Sequence, residues 1–460
     1  MNYCCAQRSN PIHKSQVVNM RRPYFLTLLA SILFFLSSCG SDDGFTIDAV
    51  PTAFIVVVNA IPDSPELSIT SRGSLLGRIQ FGQASSILTV LPQIDVPFSA
   101  DFLDADGNAR TLIIATENIA IGNTRIVVYG GTMAEPKVTR IASLSTDLSA
   151  TESRVVLLNA SNAAPNVNVT ITDPNANSQT INLPVDVTSN PIQVATGAGS
   201  RIEVRDTTSN NLLWDSGLFN FTQVTERLLL LIDYVGPGSN PVRMFSITEQ
   251  VDAGLFVDEQ LESQIRFVNM TADRGALDVL ADGNAIASGL NFGDITSYLN
   301  TPNGLTNYAV TTSGDSNDIL SSASRSILPG TFYTLGAAGL DTVNSTAFTV
   351  NDRRRVTTRT SLNITRLSPS SGLLDVYLLE RGGDVSGFPV LQSLADFTSV
   401  TVDLLPNEFD LVLTAPGQTT PLFGPEPLSL SANGIYSLII TDTEGGGEPV
   451  RVQFFDDFLN

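Results

Sequence analysis

Imidazole and thiol chemistry are almost missing from this chain. Its 460 residues hold one histidine and three cysteines, and His13, Cys4 and Cys5 all lie in the first twenty positions, leaving only Cys39 beyond them. Without His or a free thiol, the chain after residue 39 cannot build a Ser-His-Asp or Cys-His nucleophile system. It also cannot assemble the His/Cys ligand sets of zinc, copper, haem or iron–sulfur sites, and it cannot close an internal disulfide. Lysine is nearly as scarce: past Lys14 only Lys137 remains, in the polar stretch AEPKVTR, where it reads as a solvated surface charge and not a Schiff-base residue. Bases are few against acids, 25 Lys plus Arg to 46 Asp plus Glu. Such a surface repels phosphate backbones, so nucleic acid is excluded as a partner. No cofactor is expected, and no helical period of useful length follows residue 39.

What is present begins with a targeting segment. Met20-Arg21-Arg22 is a short basic region, Tyr24 to Leu36 (YFLTLLASILFFL) an apolar run too short for a stable membrane span, and Leu36-Ser37-Ser38-Cys39 follows directly. These residues resemble a bacterial lipoprotein signal, whose final cysteine is acylated and becomes the first residue of the mature protein. Residues 1–38 are then the signal region. Met20 reads as the better start, and residues 1–19 as an over-extended gene model. Removing 1–38 takes away Arg8, Lys14, Arg21 and Arg22 and no acid, so the mature net charge is (25−4)−46 = −25. Residues 39–52, small and acidic, form a flexible tether. Gly40, not Asp, follows the cysteine. By resemblance to enterobacterial sorting, this implies the outer membrane, with the membrane itself as a partner through the lipid on Cys39.

The rest of the chain says one thing four times. FIVVVNAIPDSPELSI (54–69) returns as VVLLNASNAAPNVNV (155–169), IRFVNMTADRGALDV (265–279) and, more loosely, LNITRLSPSSGLLDV (362–376). Aligned on the polar residue that ends each β-branched run, Asn59, Asn159, Asn269 and Arg366 are 100, 110 and 97 residues apart, a period of whole domains. Four units are expected at 53–148, 153–249, 264–355 and 359–460, each with its own core. The acidic segment 250–263 is the longest linker and the expected place for a bend. Laid end to end at roughly 40 Å per domain, the copies would reach far from the anchor.

Within the first copy, alternation and turn residues predict strands at 54–58, 66–70, 75–81, 87–91, 98–103, 111–115, 125–129 and 137–142, with Ser71-Arg72-Gly73 as a tight turn. Asp282-Gly283 is the matching hairpin signal in the third copy. Arg227 to Tyr234 (RLLLLIDY) should be central in its sheet. Short strands at this spacing predict an all-β fold of tandem immunoglobulin-like antiparallel β-sandwiches.

Three groups of residues are candidates for binding. Asp104, Asp106 and Asn108 (DADGN) are spaced like the start of a calcium loop, yet position 12 from Asp104 is Ala115 where a glutamate is required, and a hairpin turn accounts for the same residues. Trp214 in LLWDSG is either a sugar-stacking platform or a packing residue, and aromatic area is more often spent on packing. Arg353, Arg354 and Arg355, with Arg359 close by, form a basic cluster at the joint of copies three and four. They could grip a carboxylated or sulfated glycan, or pair with acids of a neighbouring domain. Paired carboxylates for glycoside hydrolysis stand in no recurring, cleft-like context, so no enzyme activity is expected.

GTFYTLG (330–336) and GIYSLII (434–440), in equivalent strands, both resemble a G-x-x-Y-x-[VL] pattern, the second with one residue fewer between Gly434 and Tyr436. Together with the Asn-turn-Pro openings, they resemble bacterial envelope proteins built from domain of unknown function 4397. Copy four departs with Arg366 in place of Asn, and copy two carries its tyrosine only at the end of RLLLLIDY. That resemblance implies secreted or lipid-anchored, immunoglobulin-like units and supplies no catalytic residues. The expectation is a non-enzymatic outer-membrane lipoprotein for adhesion, scaffolding or protein interaction. The alternative is a glycan- or peptide-binding surface protein of an uptake or degradation system.

Overall fold

The computed structural model describes residues 51–457, apart from 93–94, 143, 145–147, 150–151, 222–224, 249–251, 257, 259–260, 341–342 and 448. The signal region, Cys39 and the tether as far as residue 50 lie outside the described residues. Pro51–Asn460 is one compact unit, and none of its described residues is helical.

Each sequence copy forms two packed sheets. In the first, one sheet holds the opening strand Ala53–Asn59 with Thr124–Gly131 and Pro136–Ile141, and the other holds Leu67–Ser71, Ser74–Ile79, Val96–Leu103 and Ala109–Glu117. The other three copies repeat this order. Asp282-Gly283 does form the predicted hairpin turn, with φ of 47° and 82°. The strand of RLLLLIDY, Thr225–Asp233, lies inside its sheet between Glu152–Asn159 and Val242–Thr248.

The sheets are not wholly antiparallel. In every copy the opening strand runs parallel to the penultimate one: Ala53–Asn59 beside Thr124–Gly131, and likewise Glu152–Asn159 beside Thr225–Asp233, Ser263–Thr271 beside Phe332–Leu340, and Thr360–Leu367 beside Ile435–Thr441. A parallel pair needs a long crossover, and the entire second sheet of each sandwich supplies it.

Parallel neighbours are buried on both faces, which accounts for the unbroken β-branched runs. Ile55 and Val57 enter the first sandwich's own core with Leu67, Ile69 and Phe98. Val56 and Val58 point the other way and meet Val156, Leu158, Leu228 and Leu230 of the second sandwich. The first two sandwiches therefore stack sheet on sheet through a second apolar layer. The third and fourth do the same through Val268, Met270, Ala338, Leu367 and Ile439. At Gly336 a β-carbon would stand 2.6 Å from Leu367 Cδ1, so any larger residue there would force the Leu367 side chain to move.

Two expectations about the linkers change. The copies do not lie end to end, because their outward apolar faces are covered by one another. The acidic segment is not an open hinge either: Ala253–Phe256 adds an edge strand to the second sandwich, pairing with Val242–Thr248. Phe256 then packs 5.8 Å from Trp214 and 4.9 Å from Phe219, ring centre to ring centre.

Candidate functional site at the arginine joint

In three copies the repeated asparagine is a loop organiser. Asn59, Asn159 and Asn269 are almost fully buried at the end of their opening strands. The side-chain oxygen of each accepts the backbone N–H two residues on, at 3.0, 3.0 and 2.9 Å. Each amide nitrogen donates into the loop or the facing sheet: Asn59 to Ser64 Oγ, Asn159 to the carbonyls of Ala164 and Leu183, Asn269 to that of Leu290. In the first copy this shapes Ile61–Pro65, since Ser64 Oγ in turn donates to the Ile61 carbonyl at 2.9 Å.

The joint between the third and fourth sandwiches grips that loop. Thr357 N–H donates to the Asp63 carbonyl and Thr357 Oγ1 to Asp63 Oδ2, each at 3.0 Å. Arg354 donates to the carbonyls of Ser64 at 2.7 Å and Pro62 at 3.2 Å, with its guanidinium carbon 5.6 Å from the centre of the Phe81 ring. Burial pushes the Arg354 pKa down, against the nearby charges of Asp352, Asp403 and Asp63. Arg353 donates to the Asp457 carbonyl at 2.6 Å and lies 4.7 and 5.1 Å from the centres of the Tyr298 and Phe332 rings. Arg359 donates to the Asp104 carbonyl at 3.4 Å, reaching the first sandwich. Inter-domain use was expected of this cluster, through paired acids. The guanidinium hydrogen bonds of Arg353, Arg354 and Arg359 go to carbonyl oxygens instead, which a rigid fork of donors suits equally well.

Two clefts flank the joint. Arg354 and Arg359 line one of about 550 Å³ with Glu66, Arg78, Asp101 and Asp403. Arg353 and Arg355 line the other, of about 440 Å³. A third, of about 780 Å³, opens between the third and fourth sandwiches beside Arg266.

Arg266 is the residue that sequence reasoning missed. It is 3% exposed, donates to Thr334 Oγ1 at 2.9 Å and Ser437 Oγ at 3.0 Å, and makes a two-pronged ion pair with buried Asp457 of the fourth sandwich. A signal existed: three positions before the aligned polar residue the first two copies have Val56 and Val156, and the third has an arginine.

The other two candidates take the packing and turn roles that the sequence reading weighed beside binding. Trp214 is 1% exposed within the second sandwich's core, so no ligand reaches its ring. Asp104 caps its turn: Oδ1 accepts the N–H groups of Asp106 and Asn108 at 3.1 and 2.8 Å, and Oδ2 accepts Arg110 Nε at 2.8 Å. The Arg110 bond, more than the turn amides, holds its carboxyl below the usual range. Among the described residues no cluster of three or more acidic, His or Cys side chains is placed to hold a metal.

Residues 263–377 match the family model of a domain of unknown function, DUF4397. The DUF4397 stretch runs from the opening strand of the third sandwich through the arginine joint into the fourth, so Arg266 and Arg353–Arg355 all lie inside it. No curated protein matches the sequence. Among solved structures the chain is similar to the Bacillus anthracis TIE protein at 10% identity and a TM-score of 0.15, over 86% of this chain and 69% of that one. It is also similar to a fimbrial assembly protein from Parabacteroides distasonis at 9% identity and a TM-score of 0.19, over 44% and 98%. The pilus adhesin SpaC from Lactobacillus rhamnosus GG follows at 12% and 0.13, over 63% and 43%. Likeness at this level carries nothing over to this chain.

Proposed function

We propose that this chain is a non-enzymatic cell-envelope lipoprotein, acylated at Cys39 and held at the outer membrane, that presents four sandwiches as one stiff platform for adhesion, scaffolding or protein interaction. The observation that carries this is how Arg266 and Arg354 are used. Arg266 joins the third sandwich to the fourth, Arg354 joins the joint to the first, and both are committed to holding domains together. A stack locked in this way keeps the relative position of its outer loops, which suits a surface that must meet a partner as a unit. Fractionation tests the anchor: wild-type chain should stay with outer membranes and Cys39→Ala should appear in the soluble fraction. Equal retention of both would refute lipid anchoring. Surface attachment or partner capture that survives deletion of residues 53–457 would refute the display role.

The second reading is ligand binding for an uptake or degradation system. It is favoured by the polar cleft of Arg78, Arg354, Arg359, Glu66 and Asp101, whose mixed charges suit a glycan or peptide. Glycan-array and peptide-array binding by the purified protein would separate it from the first.

A further inference from the structure

We infer that the cleft of about 780 Å³ between the third and fourth sandwiches is a docking slot for one extended, proline-free apolar segment of a partner protein, which adds as a strand to the outer edge of Arg451–Asp456. This deepens the protein-interaction reading above and rests on it. Its test reads strand docking at one edge, so failure here leaves attachment through other surfaces standing. The lipid anchor plays no part in it.

The occupant is read from the other stack of the same molecule. There the last strand of the second sandwich, Val242–Thr248, does not end its sheet: Ala253–Phe256 pairs antiparallel along its outer edge, opposite Met244, Phe245, Ser246 and Ile247, and also touches Gln83–Ala84 of the first sandwich. The fourth sandwich repeats this geometry without the added strand. Leu231 lies beside Asn159 on one side and Met244 on the other, and Ile440 lies in the same way between Arg366 and Val452, so Met244 to Ile247 correspond to Val452 to Phe455. Those residues are the ones that wall the cleft on that side. Residues 293–297 wall the other and correspond to 82–86: FGDITS (292–297) repeats FGQASS (81–86), and Thr296 Oγ1 accepts the Phe267 N–H at 3.0 Å as Ser85 Oγ accepts that of Val57 at 3.0 Å.

Among the described residues Arg451–Asp456 ends its sheet, so alternate residues point backbone N–H and C=O groups outward, and another extended backbone answers them in register. Side chains from both faces of the strand line the cleft, Val452 and Phe454 from the fourth sandwich's own core and Phe455 from the layer shared with the third, and all three are only partly buried. In the second sandwich the residue opposite Met244 is Phe256, which closes the edge of that core against Trp214 and Phe219. The residue opposite Val452 should likewise be large and apolar. A charge laid against these side chains would lose water without gaining a partner, and proline would remove a donor the edge can use. Arg266 also lines the cleft, but its guanidinium is already bound to Thr334, Ser437 and Asp457, so no anion is called for.

The probe is a fluorescein-labelled peptide with the sequence of residues 252–257, DAGLFV, titrated into the full chain and followed by fluorescence polarisation. Saturable binding is expected, weakened about tenfold or more when the peptide's Gly and Leu are both replaced by Pro, since one of two successive N–H groups must face the edge. A photoreactive benzoylphenylalanine in place of the peptide's Phe should cross-link to residues 451–456 or 293–297. Ser297→Trp, at an exposed position lining the cleft, should abolish binding with the melting temperature unchanged. No binding, equal affinity for the two peptides, cross-links confined to Val242–Thr248 or to other surfaces, or binding that survives Ser297→Trp would overturn the assignment. So would self-association of the full chain that Ser297→Trp abolishes, because the slot would then belong to a second copy. If Ser297→Trp lowers the melting temperature, the proline peptide and the cross-link positions still decide it.

Discussion

Arg366 and Asp396 together do in the fourth sandwich what a single asparagine does in the other three. Arg366 donates to the carbonyls of Leu394 at 2.6 Å, Ser371 at 2.6 Å and Ser368 at 3.1 Å, but a guanidinium cannot accept a bond. The N–H two residues on, Ser368, is therefore taken by Asp396 Oδ1 at 2.9 Å. Burial pushes the Asp396 carboxyl up and the Arg366 guanidinium down, and each opposes the other's shift through its charge.

Arg366→Ala is accordingly expected to cost about 3 kcal/mol or more, since it strands the carbonyls of Leu394, Ser368 and Ser371 that the guanidinium satisfies. Asp396→Asn keeps an acceptor for Ser368 and should cost much less than Asp396→Ala. Urea titrations of the three variants check both, and equal losses for the two Asp396 variants would contradict the shared role.

The Arg266–Asp457 pair makes a sharper case because it spans two sandwiches. Either partner is almost fully buried, so Asp457→Ala should destabilise by about 3–5 kcal/mol, whereas Arg266→Met with Asp457→Leu should recover much of the loss. A double-mutant cycle by denaturant unfolding measures this. Additive single-variant losses would mean the pair is not coupled.

The shared layer between the first two sandwiches predicts how the chain can be divided. Residues 51–148 alone would expose Val56, Val58, Ile126 and Val128, and should aggregate where 51–256, which keeps the edge strand Ala253–Phe256, stays monomeric. Leu230→Ala, within the same layer, should cost about 2–5 kcal/mol. Sedimentation of the two fragments and melting of the variant are the measurements.

Acid should weaken the fold by way of its turns. The carboxyls of Asp104, Asp173, Asp206 and Asp278 are held down, led respectively by Arg110, by the Asn177 side chain and by the backbone amides of Ser209 and Gly314. A depressed carboxyl adds stability above its unfolded pKa, about 3.9, and that stability is lost as pH falls through the folded value. Asp396, raised by burial, acts in the opposite direction, its stabilising share present below the unfolded value and lost as pH rises through the folded one. With Asp215 and Glu408, held down first by Arg201 and by the Ser429 hydroxyl, six lowered carboxyls against one raised predict a melting temperature that drops below about pH 4. Replacing Asp104, Asp173 and Asp206 by Asn should flatten that drop.

Local pattern carried much of this structure. Alternation and turn residues predicted most strands of the first sandwich to within a few positions, because side-chain period and turn conformation are properties of adjacent residues. The fourfold repeat and the sandwich class followed from the same local rules. What became of the arginines did not: Arg353 and Arg354 were visible as a cluster, but the Asp457 and Ser64 carbonyls they bond lie 104 and 290 residues away, on the fourth and first sandwiches.

By itself, then, the order of residues determined that this would be an all-strand protein in four copies, stripped of imidazole and thiol beyond its first forty positions. Tertiary structure alone decided that those copies stack through their outer faces, that Trp214 is sealed in, and that an arginine joint lies between two clefts. Strand pattern reports which side of a strand is apolar. Which surface covers that side is settled only by long-range packing, where Val56 and Val58 meet Val156 and Leu158 a hundred residues further along.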